Sequence, residues 1–202
     1  MIELLLATRN EHKLDELRRI VAAAEPADVR VLGLADVAEF AEAPETGATF
    51  EENALAKARD AAAASGLPAV ADDSGLSVDA LNGMPGVLSA RWAGKHGDDV
   101  ANLELVLAQL TDTPDERRGA AFVCAAALVT PDGVEHVVRG EWRGMLVREP
   151  RGSNGFGYDP IFVPEGETRT SAELTSSEKD AESHRGRALR ALAPYLRDLP
   201  AR

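Results

Sequence analysis

The chain has 202 residues, 45% of them hydrophobic, with 17 glycines and a formal net charge of −12. That is enough for one domain with a substantial core, or one domain with a lobe. The acidic balance and an aromatic content of 4% argue against nucleic-acid binding, which rests on stripes of Lys and Arg and on stacking rings. No apolar run is long enough to span a bilayer, and Met1 leads into ELLLA without the basic segment of a signal peptide. A cytoplasmic location with no membrane partner is expected. The one cysteine, Cys124, lies within AAFVCAAALV, so it reads as a buried thiol and excludes an intrachain disulfide or a cysteine-ligated zinc. An acidic protein still binds one small anion where cations converge locally or a metal supplies the charge.

Ile2 to Leu6 reads as a first strand, followed by the polar turn Ala7 to Lys13 and a helix with Leu14, Leu17, Ile20 and Val21 at helical spacing. Strand, polar turn and helix form a phosphate-cradle layout, to which Thr8, Asn10 and Lys13 add a hydroxyl, an amide and a cation. The competing reading is that Thr8 or Asn10 caps the helix and Lys13 is solvated. It is not a Walker loop, because the glycines and the Gly-Lys-Ser/Thr ending are missing. Pro26 should end this helix, and Val29 to Leu34 gives a second strand. In the acidic connector DVAEFAEAPETG, Glu39, Glu42 and Glu45 are candidate ligands for a hard cation, and Pro44 and Gly47 frame Glu45 in a turn.

Thr49-Phe50-Glu51-Glu52 matches a capping box, so a helix is predicted over 50–65, stopped by Gly66 and Pro68. Asn53 and Lys57, four apart, share one of its faces. The helix delivers the chain into LPAVADDSGL. Ala69 to Ala71 reads as a short buried strand with Asp72 and Asp73 at its carboxyl end, where open α/β sheets bind ligands. Consecutive extended residues point to opposite faces, so at most one of the two acids faces a given ligand. The alternative is an Asp-Asp-Ser-Gly turn closing the strand.

After Gly75 a glycine- and proline-rich stretch offers Arg91 and Trp92 as a cation and a flat apolar surface, or as the anchor of a packed loop. Leu103, Val106, Leu107 and Leu110 mark a further helix, capped from Asp98 or Asp99. Residues 119–130 and 134–142 form a hairpin across Pro131-Asp132-Gly133, with a third strand expected at 144–147, so the sheet should be mixed. In EPRGSNGFGYDPIFVP, Phe156 and Tyr158 offer ring faces and Asp159 an acceptor, a combination suited to a flat heterocycle. Lys179, His184 and Arg185 then lie within two helical turns, lining a ligand or forming a basic patch on a terminal helix.

Taken in order, TRNEHK, PETG, FEENAxxKA, ADDSGL, GxPGxxSAR, GFGYDP, EK and SHRGxAL resemble the inosine triphosphate pyrophosphatase family, also called Ham1-like, from Leu6 to Leu196. The resemblance implies an α/β fold with a mixed sheet and two lobes around a deep cleft, shared with Maf-like proteins. Here that is a single domain over 1–202 with a second lobe near 112–165. It implies a homodimer acting on a small-molecule nucleotide, with Mg²⁺ as cofactor. Thr8, Arg9, Asn10, Glu11, His12 and Lys13 match the phosphate-side loop, with Arg9 where many members carry glycine. Asp73 matches the proton acceptor and a magnesium ligand, Glu45 a second metal-site acid, Lys57 a phosphate-reaching lysine and Ser74 a substrate contact. Phe156, Gly157, Tyr158 and Asp159 match the base pocket, and Lys179, His184 and Arg185 the donors that read purine keto oxygens.

The reaction so implied is hydrolysis of ITP, dITP or XTP to the monophosphate and pyrophosphate, cleansing the nucleotide pool. A broader Maf-like nucleotide pyrophosphatase and a nucleotide-binding regulator without turnover are the alternatives.

Overall fold

The structure, a computed structural model, describes every residue except 1, 12, 16–17, 20–28, 42–43 and 200–202. Leu17, Ile20, Val21, Pro26, His12 and Glu42, singled out above, therefore lie outside the described residues. Six strands form one mixed sheet in the order β2-β1-β3-β4-β5-β6: β1 (Ile2–Leu6), β2 (Val29–Gly33), β3 (Ala69–Val78), β4 (Gly119–Val129), β5 (Glu135–Leu146) and β6 (Phe162–Pro164). β1 runs parallel to β2, from Ile2 opposite Val29 to Leu6 opposite Gly33, and parallel to β3, with Leu5 opposite Ala69. β5 and β6 are antiparallel. Among the described residues the α-helices with defined bounds are α1 (Phe50–Ser65), α2 (Asp99–Gln109), α3 (Ser176–Glu182) and α4 (His184–Arg197), and no helix there is long and apolar enough to cross a membrane. The chain divides into two compact units, the first comprising Met1–Asp73, Cys124–Gly140 and Arg185–Arg202, the second Ser74–Val123 and Glu141–His184.

In the first unit, Leu4, Leu6, Val70, Cys124, Ala126 and Leu128 of the strands pack against Ala188, Leu189, Leu192 and Leu196 of α4, and the Cys124 thiol is fully buried as expected. α1 forms where the capping signal places it. Thr49 Oγ1 accepts the Glu52 N–H at 3.1 Å, while the Glu52 carboxylate reaches one residue further back, to the Ala48 N–H at 2.7 Å. Gly66 closes the helix in the left-handed conformation, φ 68°, which glycine adopts without steric cost. α1 buries a face of small residues, Ala54, Ala58, Ala61 and Ala62, and is stapled to β5 by the pairs Arg59–Glu135 and Arg139–Glu51. Removing the cap hydroxyl with Thr49→Ala is expected to cost about 1 kcal/mol in chemical denaturation.

In the second unit, Leu76, Val78, Leu103, Val106, Leu110, Phe122, Trp142, Leu146, Tyr158 and Phe162 form the core, with Phe122 and Phe162 edge to face at 4.7 Å. α2 is capped by Asp98, whose carboxylate accepts the Ala101 N–H. Trp92 takes the anchoring role: it packs against this core and its indole N–H donates to Gln109.

Two strand boundaries differ from expectation. β3 does not stop at Ala71 but runs ten residues, through Asp72, Asp73, Ser74 and Gly75, so the two acids sit inside a strand rather than at its carboxyl end. Gly75 serves a close approach instead of a turn: a Cβ there would strike Ser89 and the Gly86 carbonyl, and Ser89 Oγ accepts the Leu76 N–H at 2.9 Å. Likewise residues 144–146 continue β5 rather than opening a new strand, pairing with β6 from Gly144 opposite Pro164 to Leu146 opposite Phe162, and a Cβ on Gly144 would lie 2.7 Å from the Phe162 Cζ.

Candidate functional site

The alternation of β3 sends its two adjacent carboxylates to different partners. Asp72, 2% exposed, accepts at one oxygen from Lys13 Nζ at 3.1 Å and Arg185 Nε at 3.3 Å, with the Cys124 sulfur 3.9 Å away. Asp73, 5% exposed, turns to α1: Oδ2 accepts from the Asn53 amide nitrogen at 2.9 Å, and Oδ1 lies 3.5 Å from Lys57 Nζ. The same Lys57 ammonium donates to Glu45 Oε1 at 2.9 Å. Glu45 and Asp73 thus converge on one cation.

The two acids titrate in opposite directions. Burial alone would raise Asp72, but the charges of Lys13, Arg185 and Lys57 outweigh it and hold that carboxyl well below the usual range. For Asp73 burial prevails over Lys57, Lys13 and the Asn53 hydrogen bond, so its pKa is raised. Burial would lower Lys57, yet Asp73, Asp72 and Glu45 together raise it.

The first loop is ordered by its own side chains. Thr8 Oγ1 accepts the Asn10 N–H at 3.2 Å and Asn10 Oδ1 accepts the Lys13 N–H at 3.1 Å, so Asn10 caps the following helical turn. Lys13 is not solvated, because Asp72 claims its ammonium. Arg9, Asn10 and Glu11 are exposed, as is Glu39 of the acidic connector.

Glu45 and Asp73 suit a hard divalent cation, since both present carboxylate oxygens to a point already occupied by positive charge. Among the described residues no group of three His, Cys, Asp or Glu side chains converges. Two carboxylates with the remaining positions left to water and phosphate oxygens is the pattern magnesium favours.

In the second unit, Asp159 organises the GFGYDP segment. Its Oδ2 accepts from the Phe156 N–H at 2.8 Å and Lys179 Nζ at 2.6 Å, and its Oδ1 from the Ser171 hydroxyl. Gly155, at φ 73°, is required there, because a Cβ would collide with the Asp159 carboxylate. Gly157 donates its N–H to Asp99 at 2.8 Å. Of the two rings expected to offer faces, only Phe156 is partly exposed, with Lys179 Nζ 5.1 Å from its centroid. Tyr158 lies in the core at 4% exposure, its hydroxyl donates to the Ser89 carbonyl at 2.8 Å, and burial raises its pKa. His184 stacks on Phe122 with centroids 4.9 Å apart.

Lys179, His184 and Arg185 are all buried, which rules out a solvated basic patch. They do not act as one group, since Lys179 serves Asp159 while Arg185 serves Asp72. Ser74 is half-buried. Asn53 was not among the expected site residues, although its spacing from Lys57 placed both on one helical face; at 2% exposure it is among the most buried polar groups of the chain.

The Ham1 family matches residues 4–195. The dITP/XTP pyrophosphatase of Nocardia farcinica is 67% identical over 202 residues, covering 100% of this chain and 98% of that protein. A crystal structure described as nucleoside-triphosphatase / dITP/XTP pyrophosphatase from Mycobacterium abscessus is 64% identical, covers 96% of this chain and 100% of that one, and superposes with a TM-score of 0.78. A HAM1 protein from Coxiella burnetii, 43% identical, covers 98% of this chain and 100% of its own, with a TM-score of 0.87. Family match, whole-chain identity and fold agree, and the chain belongs to the Ham1 family.

Proposed function

We propose that this chain hydrolyses nucleoside triphosphates bearing deaminated purines, ITP, dITP and XTP, to the monophosphate and pyrophosphate, with Mg²⁺ as cofactor. The observation that carries the reading is the convergence of Glu45 and Asp73 on Lys57 within a cluster whose charges already balance. Among the described residues, three cations, Lys13, Lys57 and Arg185, pair with three carboxylates, Glu45, Asp72 and Asp73. A triphosphate entering a balanced cluster brings about four negative charges, so it needs added positive charge, and a divalent cation supplies it. The relatives named dITP/XTP pyrophosphatase support the substrate class.

Glu45 and Asp73 would hold the metal, which when bound neutralises phosphate charge and acidifies water. Asp73, its pKa raised by burial, orients the attacking water and accepts its proton. Lys57 and Lys13 exchange their carboxylate partners for phosphate oxygens and stabilise the pyrophosphate leaving group, with the Thr8–Lys13 loop and its amides around it. Asp72 keeps Arg185 as a counter-charge when Lys13 moves. Ser74 contacts the substrate. The exposed face of Phe156 stacks on the base, and Lys179 and His184 donate to its keto oxygens. Gly157, Tyr158 and Asp159 hold that segment in shape. Adenine presents an amino group where inosine presents a keto oxygen, leaving two donors face to face, so ATP is rejected. The proposal includes a homodimer working on the cytoplasmic nucleotide pool.

Phosphorus NMR of the protein with Mg²⁺ and, separately, ITP, XTP, GTP, ATP and dTTP is the direct test. Pyrophosphate with monophosphate, chiefly from ITP and XTP, is expected. Comparable turnover of dTTP would assign a broader Maf-like activity, release of orthophosphate would move the cut to the γ-position, and binding without turnover would leave a regulator.

A further inference from the structure

We propose that Asn53 is a positioning residue: one primary amide fixes the spacing between Glu45 and Asp73 and thereby sets the affinity of that pair for a divalent cation. The inference rests on the metal-site reading above.

Asn53 joins the two acids through opposite ends of its side chain. Its Oδ1 accepts the Gly47 N–H at 2.8 Å, and its Nδ2 donates to Asp73 Oδ2 at 2.9 Å. The orientation is dictated by chemistry, since a backbone N–H only donates and a carboxylate only accepts. Gly47 lies on the irregular segment that carries Glu45, two residues earlier. That segment lies directly on the start of α1: a Cβ on Gly47 would come within 2.6 Å of Asn53 Oδ1, 2.8 Å of Glu52 Cβ and 3.0 Å of the Asn53 nitrogen. The bond from the Ala48 N–H to the Glu52 carboxylate, 2.7 Å, ties the segment down beside it. Glu45 therefore hangs from a segment held by Asn53, and Asp73 is gripped by the other end of the same amide.

Asparagine joins an acceptor and a donor at this short reach. Aspartate would set an acceptor against Asp73, serine is too short to reach two partners, leucine offers neither polarity, and glutamine is one methylene longer. Lys57, one helical turn on, receives the two carboxylates that Asn53 has spaced. Groups that orient metal ligands without touching the metal typically change affinity by about 10–100-fold when removed.

The test uses Mn²⁺ as the probe, with free metal followed by electron paramagnetic resonance against the full chain, alongside the Mg²⁺ dependence of ITP turnover. Asn53→Leu keeps the branching of the side chain, at a somewhat larger volume, and removes both bonds. Gly47→Ala sets a methyl against Asn53 Oδ1, Glu52 Cβ and the Asn53 nitrogen, so it parts the Glu45 segment from the start of the helix while the chain keeps the Asn53 amide. Glu45→Gln is the reference for loss of a ligand. Both displaced variants are expected to bind Mn²⁺ about 10-fold or more weakly and to need correspondingly more Mg²⁺, with the KM for ITP at saturating Mg²⁺ held within about twofold. A merely structural role would lower the thermal midpoint without that split. If Glu45→Gln loses Mn²⁺ while Asn53→Leu and Gly47→Ala retain it, the positioning role is overturned and the metal site stands. If Glu45→Gln binds as tightly as wild type, the metal reading falls, and the positioning role with it. Should Asn53→Leu fail to fold, Gly47→Ala decides.

Discussion

Asp73→Asn is expected to lower ITP turnover by about 10²–10⁴-fold, the range for loss of a positioned general base, without loss of stability. The stability half of this expectation follows from sign. The pKa of Asp73 is raised by folding, so its ionised form is less favourable in the folded chain than in the unfolded one. Its contribution is therefore greatest in acid and declines as pH rises from the ordinary value of 3.8 through the raised one. Near neutrality the asparagine variant escapes that burden. Its thermal midpoint should equal or exceed that of wild type while its activity is lost, the pattern of a group kept for chemistry at the expense of stability. Turnover within threefold of wild type would remove Asp73 from the reaction, and a large fall in the midpoint would show its role to be structural.

The neighbouring substitution should do the reverse. Asp72 is buried between Lys13 and Arg185, and Arg185 is itself only 2% exposed. Asp72→Asn leaves both cations facing a neutral amide, a change that typically costs about 3–5 kcal/mol. Folding depresses the pKa of Asp72, so its stabilising contribution is fully present above 3.8 and is lost as pH falls towards the folded value. Equilibrium denaturation across acidic pH should show a falling limb in wild type that the variant lacks. A loss below about 1 kcal/mol at pH 7 would mean that the pairing contributes as little as a surface ion pair.

Local signals were legible in the sequence and distant partnerships were not. The helix over 50–65 was readable to the residue, because Thr49, Glu52 and Gly66 are read by the backbone within a few positions of themselves. β3 is longer than its composition suggests, because Asp, Ser and Gly favour turns whereas its extended form follows from sheet neighbours, from buried cations and from Ser89 packed against Gly75. The order of motifs identified the family from Leu6 to Leu196, and the family match spans residues 4–195. The partner of Lys13 could not be read, since Asp72 lies 59 positions away and Arg185 joins the same carboxylate across 113. Tyr158 illustrates the opposite error: a ring within a recognition motif was expected to face a ligand, yet its place in the core is set by Leu76, Phe162 and the Ser89 carbonyl. Asn53 carried a usable clue, its position one turn before Lys57, but whether that face met water or Asp73 depended on where the sheet lay.

The alternation that separates Asp72 from Asp73 has a bearing on how this gene can vary. Substitutions in the run 67–71 change one side chain at a time, and although Ala69, Val70 and Ala71 are buried, a volume-conserving change leaves every other side chain on its own face. Insertion or deletion of a single codon there is of another kind, because a one-residue slip turns every following side chain to the other face of the sheet. It would swing the acid that Lys13 and Arg185 hold ionised towards α1, and bring the acid whose charge is disfavoured against Arg185. Natural variants of this segment should therefore differ in spelling but not in length, whereas the exposed connector near Glu39 is free to differ in both.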